Sequence, residues 1–120
     1  MIPLYNKVPK DLNNMDHNNE KFGAIRKGLL EFILLKMIDA RALYVADILK
    51  EINQTDFATQ EGTLYPLLSR MRRDGFLDYE WKESEVGPPR KYYSLTKKGK
   101  AELKETEEYW QKINTIIKNI

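Results

Sequence analysis

Arginine and lysine gather at two places in this sequence, and their spacing points to the chemistry open to it. Arg70 and Arg73, with Ser69, ride on the stretch Thr59-Gln-Glu-Gly-Thr-Leu-Tyr-Pro-Leu-Leu-Ser-Arg-Met-Arg-Arg-Asp-Gly75. Arg90 and Lys91 follow Gly87-Pro88-Pro89, where two prolines fix φ and remove two donors, stiffening whatever carries the cations. Cations and hydroxyls presented this way bind phosphates and base edges rather than break bonds. The parts for catalysis are missing. The only histidine, His17, has no partner ligand near it in sequence, and cysteine is absent, which removes disulfide, thiolate-metal and thiol chemistry. No phosphate loop occurs, and pairs such as Glu107-Glu108 read as a solvated helix face. No metal or cofactor is expected, and an enzyme is excluded on these grounds.

The elements that would position these groups follow from periodicity. Leu64, Leu67, Leu68 and Met71 stand at i, i+3, i+4, i+7, one apolar stripe of a helix whose other side is polar and basic. Thr59 is placed to cap it, and Gly75 stops it. Pro66 conflicts with a regular helix, because its ring crowds the carbonyl of Gly62 at a cost of about 3 kcal/mol in a helix interior. Either the first turn is kinked or regular helix begins near Thr63. In both cases the N–H groups around Gly62 and Thr63 would lie free at a helix start, where a phosphate is favourable. Two alternating runs come next, Leu77–Lys82 and Lys91–Leu95, joined by an eight-residue loop. Leu77, Tyr79 and Trp81 alternate with Asp78, Glu80 and Lys82, one face of a strand on the core, and Trp81 reads as a core or hairpin-stabilising residue in preference to a ligand-stacking one. A basic-faced helix followed by a hairpin whose tip presents Arg90 and Lys91 predicts a winged helix-turn-helix, mainly α with a β wing. Gln60, Thr63, Tyr65, Ser69, Arg70 and Arg73 would line the groove face, with Arg90 and Lys91 on phosphate from the wing.

The flanking segments complete the plan. Residues 1–20 hold Pro3, Pro9 and scattered apolar groups, and read as a flexible arm. A helix is predicted over Lys21–Asp39, apolar on two faces: Ile25, Leu29, Phe32 and Ile33 on one, Leu30, Leu34, Met37 and Ile38 on the other. Tyr44–Ile52 would be the supporting helix, with Val45, Ile48, Leu49 and Ile52 inward. Thr96 caps a last helix in which Leu103, Trp110 and Ile117, and Thr106, Ile113 and Ile120, recur every seven residues. That seam must pack on the first helix, on a second subunit, or on both. The division expected is therefore an arm at 1–20, a DNA-binding domain at 21–95 and a dimerisation helix at 96–120.

Composition sets the outer bounds. A chain of 120 residues, 32% charged and 42% hydrophobic, is ordinary for one globular domain. The net charge of +2 is too small to be a footprint, so any surface for nucleic acid must be local. Gly28–Ile38 is too short and too often interrupted to cross a bilayer, and the opening ten residues lack the apolar core of a signal peptide. A cytoplasmic location is expected.

Gly62-Thr-Leu-Tyr65, the Gly75 stop, Arg90-Lys-Tyr-Tyr93 and Leu95-Thr-Lys-Lys-Gly99, at this spacing, resemble the PadR family of transcriptional regulators from about Gly28 onward. The resemblance implies a homodimer of winged helix-turn-helix subunits joined through the C-terminal helix, of the small subgroup with a single such helix. It implies a repressor of its own or a neighbouring gene, bound to a palindromic operator in double-stranded DNA. Some members of that subgroup sandwich flat aromatic compounds between paired tryptophans, and Trp110 sits where that tryptophan would, with Leu103, Ile113 and Ile117 along the same seam. A plain interface anchor is the competing role for Trp110. This sequence departs from the family before the second helix, where Arg41-Ala-Leu-Tyr44 stands in place of a glycine-bearing segment. A winged-helix module that binds protein rather than DNA is the alternative from another class, given Asp74, Asp78, Glu80, Glu83 and Glu85 among the basic residues.

Overall fold

Apolar side chains at helical spacing from four helices and at alternate positions of a hairpin converge on one core. The computed structural model describes the backbone from residue 12 onward and side chains from Glu20. In chain order the elements are α1 (Leu12–Ala40), β1 (Leu43–Tyr44), α2 (Val45–Ile52), α3 (Glu61–Arg73), β2 (Leu77–Ser84), β3 (Gly87–Leu95) and α4 (Lys97–Lys118). Leu34 of α1, Ile48 and Ile52 of α2, Leu64, Leu68 and Met71 of α3 and Leu77 of β2 are all essentially excluded from solvent. Each such aliphatic side chain contributes roughly 1.5–3 kcal/mol by leaving water. The predicted stripe of α3 is the stripe that is buried.

Helix α1 reaches back to Leu12, with a kink at Phe22 (φ −113°, ψ 16°). The segment read as an arm up to residue 20 is therefore helical from Leu12, while residues 1–11 lie outside the described residues. The two apolar faces of α1 meet different fates. Leu30, Leu34 and Ile38 join the core, and Phe32, Ile33 and Met37 pack at its edge, but Ile25 remains 61% exposed. Helix α2 begins at Val45 rather than Tyr44. Tyr44 instead forms β1 with Leu43, and the pair adds a third strand to the hairpin through Leu43↔Tyr93 and Tyr44↔Tyr92. The segment that departs from the family pattern is thus used as strand.

The sheet order is β1-β3-β2, antiparallel throughout. The loop expected between the hairpin strands is replaced by a tight turn at Glu85-Val86, because Pro88 and Pro89 belong to β3. Extended backbone suits the fixed φ of proline, and the ladder tolerates the missing donors by skipping them. Lys82 pairs with Arg90 and Ser84 with Gly87, leaving both prolines opposite Glu83 alone in a bulge. Trp81, expected at the core or in the hairpin, lies on the hairpin and is 63% exposed.

Two corners of the chain are fastened to one another. Gly75 follows α3 at φ 86°, a left-handed conformation suited to glycine. Thr96 caps α4 by accepting from the Gly99 amide at 3.0 Å, and its own hydroxyl donates to the Gly75 carbonyl. Its amide donates to the Phe76 carbonyl at 3.1 Å, and Lys98 Nζ donates to the Asp74 carbonyl at 2.7 Å. Gly99 lies so close against Phe76 that an added Cβ would overlap the Phe76 carbonyl oxygen. The end of α3 and the start of α4 are one block. Among the described residues, no helix is long and apolar enough to cross a membrane.

Candidate nucleic-acid interface

Burial of Leu64, Leu68 and Met71 decides what the rest of α3 shows to solvent. Gly62, Pro66, Ser69 and Arg73, at i, i+4, i+7 and i+11, run along the side opposite the core, and all are exposed. Thr63 and Arg70 form one flank, Tyr65 and Arg72 the other, each pair seven residues apart. The outermost stripe has little bulk until Arg73, so the backbone itself can approach a partner closely.

The start of α3 differs from the expectation. The N-cap is Gln60, in an extended conformation and without a side-chain cap bond. Thr59 is turned away: its hydroxyl donates to the Phe57 carbonyl at 2.7 Å, and its amide donates to Asn53 Oδ1 at 2.9 Å. Regular helix begins at Glu61 and runs through Pro66, so its start is not delayed to Thr63. The Thr63 amide is engaged, donating to the Gln60 carbonyl at 3.0 Å.

Arg70 is also committed within the chain. Its Nη2 donates to Glu31 Oε2 of α1 at 2.9 Å, tying the middle of α3 to α1. Arg70 therefore stands on the flank facing α1. Tyr65, 48% exposed, occupies the flank facing the sheet.

Arg90 and Lys91 are not at the tip of the wing. The tip is Glu85 and Val86, the latter 87% exposed, and the two cations stand within β3 and point to opposite faces of it. The Arg90 guanidinium lies over the Tyr44 ring at 4.6 Å, and Tyr44 packs on Tyr92 at 5.3 Å, with Lys82 over Tyr92 at 5.0 Å. On the other face Lys91 Nζ sits 4.2 Å from the centre of the Tyr79 ring and 5.5 Å from that of Trp81. Tyr79 meets Trp81 edge-on at 6.4 Å and Tyr93 at 6.0 Å. Arg72 reaches the same Tyr79 ring from α3, at 4.4 Å.

Burial is the main reason the Tyr93 hydroxyl ionises above its ordinary range. The neighbouring Tyr65 and Tyr79 push the same way, and Arg72 opposes them. The sheet-side flank of α3 and the inner face of the wing therefore form one continuous surface. Sequence reasoning passed over Arg72 and gave Tyr79 a core-facing role, and it preferred a structural role for Trp81 over a ligand-stacking one. The available signal was the seven-residue step from Tyr65 to Arg72, together with the alternation that puts Tyr79 and Trp81 on one side.

The four seam positions of α4 separate. Leu103 is 5% exposed and belongs to the core of its own chain, whereas Trp110 and Ile117 are 38% and 66% exposed and Ile113 lies between these extremes. A recess beside Trp110 is bordered by Phe32, Lys36, Lys104, Glu107 and Gln111, with Lys36 ion-paired to Glu107.

Known proteins share this arrangement. The profile described as the Transcriptional regulator PadR-like family matches residues 34–105. A PadR-like transcription factor from Bacteroides fragilis, of known structure, is 41% identical, with a TM-score of 0.72 over 81% of this chain and 94% of that one. A PadR-like transcriptional regulator from Bacillus cereus is 34% identical, with a TM-score of 0.73 over 80% and 94%. An uncharacterized protein of Lysinibacillus sphaericus is 33% identical over 96 residues, 78% of this chain and 88% of that protein.

Proposed function

The chain belongs to the PadR-like family of transcriptional regulators, and from that premise we propose a homodimeric repressor that binds a palindromic operator near its own or a neighbouring gene. The observation that carries this reading is the uncovered apolar side of α4. Tyr109, Ile116 and Ile117 are at least 60% exposed on a helix whose first turns are firmly packed, and Ile120 just past its end is exposed as well. A second copy laid on that side would remove it from water. It would also supply the second recognition helix, about 34 Å from the first, that reading one helical turn of duplex requires.

In this reading residues 21–95 meet DNA and residues 96–120 join the subunits in the cytoplasm. Gln60, Thr63, Tyr65, Ser69 and Arg73 face the major groove. Arg70 shares that work with its tie to Glu31, so it meets DNA from the flank. Trp110 and its symmetry mate would bound a slot for a flat aromatic effector, and Ile113 would line it. The effector would favour a dimer geometry with the wrong spacing for the operator.

The test is a fluorescence-anisotropy titration of the duplex upstream of the gene, run at two salt concentrations. Tight binding that weakens steeply with salt is expected. Absence of binding, or binding indifferent to salt, would overturn the reading in favour of a protein-interaction module. For the effector, flat aromatic compounds should quench tryptophan emission in the wild type more than in Trp110→Ala. Equal quenching in both would remove the slot.

A further inference from the structure

We propose that Arg72 and Lys91 form a two-cation clamp across the Tyr79 ring, which grips the sugar–phosphate backbone of one DNA strand between recognition helix and wing, and that Trp81 packs on the adjoining deoxyribose. The proposal rests on the DNA-binding reading and adds to Lys91 three residues, Arg72, Tyr79 and Trp81, to which sequence reasoning assigned no role in DNA binding.

Convergence is the first argument. One cation comes from α3 and the other from β3, yet both lie over a single phenol ring, at 4.4 and 4.2 Å. Their charges are no farther apart than the sum of those two distances. Among the described residues neither joins a carboxylate in an ion pair, in contrast to Arg70, Lys36, Arg41 and Lys100. Two like charges this close repel, and the ring quadrupole offsets that by only about 0.5–1 kcal/mol each at exposed sites. An anion that both cations can reach at the edge of the ring relieves the repulsion. A guanidinium can keep its face on the ring while its N–H edge donates to phosphate oxygens.

Charge segregation is the second argument. Strand alternation sends Asp78 and Glu80 to the face that carries Arg90, where Asp78 pairs with Ser94 and Glu80 with Tyr92. The opposite face carries Leu77, Tyr79 and Trp81 with Lys91, Tyr93 and Leu95, and its one carboxylate, Glu83, stands toward the turn, opposite the two prolines. A phosphate approaching Arg90 meets Asp78 and Glu80 on its own face, and one approaching Lys91 meets Glu83 alone. Lys91 is therefore the wing cation suited to DNA, and Arg90 is mainly a brace for Tyr44.

Trp81 supplies the third argument. It is the cross-strand partner of Lys91 and is 63% exposed on the same face. An indole offers a broad apolar surface and one donor with no acceptor. Deoxyribose provides the matching apolar surface, and the phosphate beside it is an acceptor only. Tyr79 and the buried Tyr93 beneath it make the platform rigid.

The experiment uses the full chain and a mixed-sequence DNA duplex, because gripping the sugar–phosphate backbone needs no operator. Affinity is measured by anisotropy across a salt series for the wild type, Arg72→Gln, Lys91→Gln, the double variant and Arg90→Gln, each checked for folding by circular dichroism. The slope of log K against log salt should become shallower by about 0.9 for each phosphate no longer neutralised, so by roughly twice that in the double variant. Arg90→Gln should change it least. If the double variant fails to fold, Lys91→Gln alone carries the test. A slope equal to wild type in Lys91→Gln, or a larger change in Arg90→Gln, overturns the clamp while leaving DNA binding in place. A wild type that does not bind duplex at all overturns the underlying reading as well. Duplex should also alter tryptophan emission in the wild type and do so less in Trp81→Phe, and an identical change in both removes Trp81 from the DNA-facing surface.

Discussion

The two halves of α4 have similar heptad spacing and continuous helical backbone, yet they live in different surroundings. In the first half Thr96 caps the helix, Gly99 is wedged against Phe76, and Leu103 is buried among residues of its own domain. In the second half Tyr109, Ile116 and Ile117 are 60–66% exposed, and the seam tryptophan is 38% exposed. A heptad pattern states that a stripe must be covered, and it is silent on whether the cover is cis or trans. Steric detail resolves the question for the first half. For the second half, no described residue of the same chain supplies the cover.

Substitutions along the helix can break this contrast or sharpen it. The largest effect belongs to Gly99→Ala, which forces a methyl group onto a backbone carbonyl that cannot rotate away. Loss of about 3 kcal/mol or more is expected in urea unfolding, and wild-type stability would show that the corner is not locked. Leu103→Ala should cost about 2–3 kcal/mol by leaving a cavity, at every protein concentration. Ile117→Asp should leave the folding of the single chain nearly unchanged but convert a dimer to monomer in sedimentation, and abolish the dependence of Tm on concentration. Similar behaviour of Leu103→Ala and Ile117→Asp would dissolve the distinction between the halves.

Smaller still, Thr96→Ala should cost about 1 kcal/mol by removing the cap. The weakest test lies in β3, on which the near half of α4 rests. Burial raises the Tyr93 pKa above the ordinary value of about 10, so the neutral phenol stabilises the fold below that pH. That stability should fall as pH climbs through the raised value. Tyr93→Phe should remove this part of the alkaline loss, and removing the opposing cation in Arg72→Gln should extend the loss to higher pH while leaving its onset where it was.

Much of the architecture is legible in residue order. The Leu64–Met71 stripe, the Gly75 stop and the Thr96 cap are local signals, each satisfied within a few residues, and they describe the elements as they stand. The wing is less legible, because Pro88 and Pro89 look like loop formers. Their φ suits a strand, and a bulge absorbs the two absent donors. That difference moves Arg90 and Lys91 off the tip and sets them on opposite faces. The ion pair of Arg70 with Glu31 spans 39 residues, and no local pattern announces it. The meeting of Arg72 with Tyr79 likewise depends on how α3 lies across β2, a tertiary fact rather than a periodic one.

The block formed by Asp74, Gly75 and Phe76 with Thr96, Lys98 and Gly99 has a practical consequence for anyone recombining such proteins. A chimera joined at Leu95–Thr96, where strand gives way to helix, would cut through this block and ask a foreign helix to fit the Phe76 carbonyl. A joint placed after Leu103 would carry the whole corner with the DNA-reading part and exchange only the uncovered stretch. Parts of this protein are therefore interchangeable at a position one helical segment later than its secondary structure advertises.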